Sequence, residues 1–95
     1  MGVPSSVLVA QRVDFGCPIT GYLCCTEFKP PFLTGFVFND ARRRFQQGAH
    51  IRTSAIQKVF LSEGYLLCQT LSGSTYVIVH WQHENGEMPL ERVLH

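Results

Sequence analysis

The sequence predicts a mainly β fold: one small domain over residues 1–95, an antiparallel SH3-like barrel or roll that carries a C-terminal three-stranded meander. First, three apolar runs of strand length, Ala55–Leu61, Tyr65–Leu71 and Thr75–Trp81, are separated by Ser62-Glu63-Gly64 and Ser72-Gly73-Ser74. They are rich in Val, Ile, Leu, Tyr and Phe, which suit a pleated, half-buried surface, and each loop holds a glycine able to take positive φ. Second, the last run is apolar on both faces, with Val77, Val79 and Trp81 on one side and Tyr76, Ile78 and His80 on the other. Such a strand belongs at the centre of a two-sided core or against an interface. Third, a chain of 95 residues buries only about 60–65% of its unfolded surface, so six or seven short strands must share one modest core.

The N-terminal half also reads as strands, at Val7–Val13, Ile19–Phe28 and Leu33–Asn39. Pro30-Pro31 separates the second from the third, because neither proline can donate to a ladder. Asn39-Asp40 starts a turn. Arg42–Gln47 follows as a loop or a single helical turn, ended by Gly48, and a short strand at His50–Arg52 leads to Thr53-Ser54. Beyond Gly86, Leu90, Val93 and Leu94 stand at helix-like spacing after Pro89 and predict a short C-terminal helix.

Hydrophobic residues make up 45% of the chain and charged residues 16%, the reverse of the balance that sustains disorder. Seven Phe, three Tyr and one Trp with so little charge point to a surface that meets a partner or a second copy. Net charge is +1, but residues 1–60 carry seven bases against three acids and residues 61–95 one base against four. No apolar run reaches the length of a membrane span. With no basic leader and no long apolar core at the N-terminus, the chain is expected in the cytoplasm. There Cys17, Cys24, Cys25 and Cys68 read as free thiols, with neighbouring Cys24 and Cys25 on opposite faces of a strand.

Catalytic and metal chemistry find little footing. His80 and His83 form an H-x-x-H pair, but on a strand they do not share a face, and no further ligands stand at zinc spacing. Cys17, in a Gly-Cys-Pro loop, is the one exposed thiol suited to nucleophilic chemistry, and no base is placed for it. No Gly-x-Ser-x-Gly elbow, phosphate-cradling loop or dinucleotide fingerprint occurs. Glu84, Glu87 and Glu91 lie in a polar stretch that offers no reason for a shifted pKa. The chain is therefore expected to be no enzyme, with no cofactor and no metal.

The most pointed polar feature is Arg42-Arg43-Arg44 followed by Phe45, with Arg52 and Lys58 further on. Guanidiniums beside an aromatic ring suit phosphates and bases, which would make the protein a nucleic-acid-binding barrel. They suit an acidic protein surface equally, where Arg is a favoured anchor. Arg42, Arg43, Arg44, Phe45 and Arg52 are thus the candidate partner-binding residues.

Arg44-Phe45, Gly48, Ile51-Arg52-Thr53-Ser54 and Ile56, then Thr70, Ser74 and Tyr76, form a pattern that resembles small uncharacterised β-rich accessory proteins encoded by phages and prophages. It covers about a third of the chain. Those proteins favour an acid before the glycine, where this sequence has Gln47. The resemblance implies a compact β module that binds a host protein in the bacterial cytoplasm and inhibits or modulates it, in the anti-defence manner of anti-CRISPR proteins.

Overall fold

A computed structural model describes residues 2–82. It comprises one short helix, α1 (Ser5–Gln11), and six strands: β1 (Gly21–Lys29), β2 (Phe32–Phe38), β3 (Ala49–Arg52), β4 (Ile56–Ser62), β5 (Tyr65–Thr70) and β6 (Thr75–Ile78). All six join one sheet in the order β3-β2-β1-β6-β5-β4. The fold is mainly β, as the strand pattern requires.

The meander is present, with β4, β5 and β6 paired antiparallel in sequence order. Its first loop is tighter than the sequence suggests. Ser62 pairs with Tyr65, leaving Glu63 and Gly64 as a two-residue connection at φ of 52° and 81°. Positive φ at both positions turns the chain with the twist of the flanking strands, and Gly64 takes it without a Cβ penalty. The second meander, β1-β2-β3, is antiparallel as well.

The expected antiparallel barrel requires correction at the seam. The two meanders meet through β1 and β6, which run parallel: Gly21 faces Tyr76, Tyr22 faces Val77 and Leu23 faces Ile78. The sheet is therefore mixed. It is also not closed, since β3 and β4 stand at opposite ends of the strand order. The link between them, residues 53–55, is held by point contacts. Thr53 N–H donates to the Leu33 carbonyl, Ile56 N–H to the Pro31 carbonyl and Leu71 N–H to the Ala55 carbonyl. A parallel partner lies some fifty residues away in sequence, so periodicity within either strand cannot disclose it.

The sheet buries both faces. Along one, Leu23, Leu33, Val37, Ile51, Leu66, Cys68, Tyr76 and Ile78 form the main cluster, with Phe28, Val59 and Trp81 against it. On the other, Val7 of α1 packs on Cys24 and Phe38, flanked by Val3, Tyr22 and Val79. This second layer explains why Val7–Val13 is not the expected strand. Val3, Val7 and Ala10 recur at three- and four-residue spacing, and Val7 and Ala10 are fully buried, so a helix delivers a single apolar stripe to the sheet. Burial of that stripe outweighs the β preference of valine. Leu8 and Val9, off the stripe, stay exposed.

Cys24 is buried and Cys25 exposed, where the β1–β2 register shifts and Cys25 adopts a φ of 50°. The expected helix beyond Gly86, His83 and Glu84, Glu87 and Glu91 lie outside the described residues.

Candidate functional site

The loop between β2 and β3 is organised around one carboxylate. The Asp40 side chain is 1% exposed. Its oxygens accept the backbone N–H groups of Arg42 at 3.4 Å, Arg44 at 2.6 Å and Phe45 at 3.2 Å, and the Arg44 guanidinium at 3.5 Å. Asp is suited to this because its short side chain can accept from amides a few residues on, in place of a backbone turn. A second clasp spans the loop base: Gln47 Oε1 accepts the Asn39 N–H at 2.7 Å, and Gln47 Nε2 donates to Asn39 Oδ1 at 2.6 Å. Ala41 N–H donates to the Thr20 carbonyl, just ahead of β1.

The three arginines have different duties. Arg42 reaches the β5–β6 hairpin, where it donates to Ser74 Oγ at 3.2 Å and to the Gly73 carbonyl at 3.3 Å. Arg44 lies between Asp40 and the Tyr76 hydroxyl, 3.2 Å away, and 5.0 Å from the Phe45 ring centroid. Arg43 takes a left-handed φ of 55°, and among the described residues its guanidinium has no hydrogen-bond or ion-pair partner. It lines an open hollow of about 620 Å³ with Asn39, Asp40, Ala41, Phe45, Gln46 and Gln47. Phe45 keeps 38% of its surface exposed beside it.

Arg52 is not brought to this group. It faces Thr34 across the ladder, at the opposite end of β3 from the loop, and its guanidinium lies 4.6 Å over the Phe32 ring. Three residue steps along the strand separate it from Ala49 by roughly 10 Å. Lys58 sits over Phe60 on β4, 5.4 Å from the ring.

Charge within the loop is settled by competing effects. Burial pushes the Asp40 carboxyl up, but the Arg44 N–H, then the Arg44 guanidinium and its charge, and finally the Arg42 N–H pull it below its ordinary value. Arg44 moves the other way: burial lowers it, and Tyr76 and Asp40 together raise it. Of the thiols, burial pushes Cys24 up to about 11, helped by Cys25, and Cys68 up to about 12. Both stay protonated near neutrality and are poor nucleophiles. Cys17 is half-buried. Among the described residues no three His, Cys, Asp or Glu side chains gather as a metal site would require, and no helix is long and apolar enough to cross a membrane.

Arg44, Ser74 and Tyr76 thus belong to one hydrogen-bonded assembly. Asp40 and Gln47, which hold that assembly, were not among the candidate residues. The Asn39-Asp40 turn signal points at Asp40, whereas Gln47 carries no signal of its own. Replacing Tyr76 by Phe should cost about 1 kcal/mol in urea unfolding, for one hydrogen bond to a charged but partly solvated guanidinium. An unchanged midpoint would mean the Arg44–Tyr76 contact contributes nothing.

No protein-family model, no curated protein and no solved structure matches the chain.

Proposed function

We propose that the protein is a non-catalytic binding module of phage or prophage origin, which docks on an acidic patch of a host protein in the bacterial cytoplasm and inhibits or modulates it. The observation that carries this is the fixed presentation of Arg43 and Phe45. Asp40, Gln47 and Arg42 hold the loop in one conformation, so little ordering entropy remains to be lost when a partner binds. Among the described residues Arg43 has no internal partner, and an arginine so presented beside a half-exposed aromatic ring is the pairing enriched at interface anchors. The phage setting rests on the resemblance alone.

Nucleic acid is the second reading, and the loop geometry weakens it. Arg42 is committed to Ser74 and Gly73, and Arg44 to Asp40 and Tyr76. One guanidinium without a partner among the described residues, beside a buried carboxylate, makes a poor polyphosphate track.

Affinity capture from bacterial lysate, followed by titration of the purified partner, tests the proposal. The wild-type protein should retain a specific acidic protein, and Arg43→Glu and Phe45→Ala should each weaken it at least about tenfold, as anchor residues do. A partner held equally by both variants, or no partner, would remove the reading. Binding to DNA or RNA with a log–log salt slope near −0.9 per duplex phosphate would install the other one.

A further inference from the structure

The end of the sheet offers a second surface, distant in the strand order from the loop. β4 is the last strand, and among the described residues only β5 pairs with it. Which of its backbone groups face outward follows from two hydrogen bonds of β5. Thr70 N–H donates toward β6, to the Ser74 carbonyl, while Leu71 N–H donates toward β4, to the Ala55 carbonyl. Backbone groups of successive strand residues point to opposite neighbours, so Tyr65, Leu67 and Gln69 also face β4. Their partners Ser62, Phe60 and Lys58 face back to β5. Val59 and Leu61 therefore present their N–H and C=O groups to the open edge.

That edge carries few of the usual safeguards against pairing: one lysine and one bulge at its end. Between Ile56 and Ser62 there is no proline, and Lys58 is the single charge. The bulge lies at the N-terminal end, between Ile56 and Lys58, leaving Lys58–Ser62 regular. Leu61 is 59% exposed. Strands that avoid pairing carry several charges, lysine above all, with prolines or bulges along the edge.

We propose that β4 pairs antiparallel with β4 of a second copy of this chain, about a two-fold axis at Val59. In this register Val59 faces Val59 of the copy and the two exchange both backbone bonds, while Leu61 falls opposite the bulge at Gln57. Lys58 faces Phe60, not another lysine, in both symmetry-related places. The lone charge of each strand thus meets an aromatic ring instead of its own kind, and the existing placement of Lys58 over Phe60 within one chain shows that the two side chains accept each other. A two-fold axis requires this self-complementarity. One strand pair falls below about 1,200 Å² of interface, the size class of weak and transient contacts, so the dimer forms in proportion to concentration.

Sedimentation of the full chain from about 10 μM to 1 mM, a range suited to a contact of that strength, reads the equilibrium. The weight-average mass should rise from monomer toward dimer, and amide exchange at Val59 and Leu61 should slow over the same range. Phe60→Lys sets like charges opposite each other twice per dimer and should weaken it about tenfold, while Phe60→Glu, which faces Lys58, should leave it within about threefold. Monomer at every concentration would overturn the proposal. So would equal weakening by both variants, or protection of Val59 and Leu61 that ignores concentration, which would place part of the same chain on the edge.

Discussion

Replacing Asp40 by Ala should lower stability by about 2–4 kcal/mol and the thermal midpoint by at least about 8 °C. Three backbone N–H groups and one guanidinium converge on its carboxylate, and alanine offers none of them an acceptor. The cost stays below the sum of four full desolvation penalties, because Arg42, Arg44 and Phe45 are exposed and water can reach part of what is freed. It exceeds that of an ordinary surface change, which stays within about 0.5 kcal/mol. Asp40→Asn separates charge from shape: it keeps one acceptor oxygen and loses the ion pair, so its cost should fall between zero and that of Asp40→Ala. Under the proposed function, partner binding should weaken as well, since Arg43 and Phe45 are then held by a loop with several conformations. Circular dichroism melts of the three proteins give the order, and Asp40→Ala melting with the wild type would show that the carboxylate does not organise the loop.

The same carboxylate gives the protein an acid limit. Its folded pKa lies below the unfolded value, which is near 3.9, so the unfolded chain binds the proton more readily. The stability it contributes is complete above the unfolded value and drains away as pH falls through the folded one. Wild type should therefore lose stability below about pH 4 more steeply than Asp40→Asn. Arg44 adds no slope near neutrality, being charged throughout in both states.

Local chemistry is what the sequence displays most clearly. Glycines at 64 and 73 mark hairpin turns because φ there is positive, and the β-branched and aromatic runs between them are strands. The seam is invisible at that level, because Tyr22–Val77 and Leu23–Ile78 pair across more than fifty residues and each run would look the same beside any neighbour. α1 deceived for a related reason. Leu8 and Val9 fill the gaps in the stripe of Val3, Val7 and Ala10, so the segment looks uniformly apolar and only the presence of a sheet beneath selects the helix. In the loop, Arg42-Arg43-Arg44 reads as three equal charges. Their division of labour depends on Ser74 and Tyr76, 32 residues away from Arg42 and Arg44, and local pattern carries no trace of it.

Leu23→Ala should cost about 2–5 kcal/mol, the range for emptying a leucine from a closed core, whereas Leu71→Ala should stay within about 0.5 kcal/mol. Leu71 is 66% exposed and Leu23 not at all. Position adds to burial. Leu23 sits on β1 between Val37 of β2 and Ile78 of β6, and its carbonyl accepts the Val79 N–H. A cavity there opens at the parallel ladder that joins the two antiparallel meanders. Because both draw on the same buried cluster, with Leu33, Val37 and Ile51 from one and Leu66, Cys68 and Ile78 from the other, neither can keep its face dry alone. Unfolding should remain a single transition as the midpoint falls, and amide protection should drop in β2 and β5 by the same amount. Protection that survived in β4–β5–β6 while β1–β2–β3 exchanged would mean that the glycine-turned meander stands without its partner, and the shared core would not be what makes the six strands one unit.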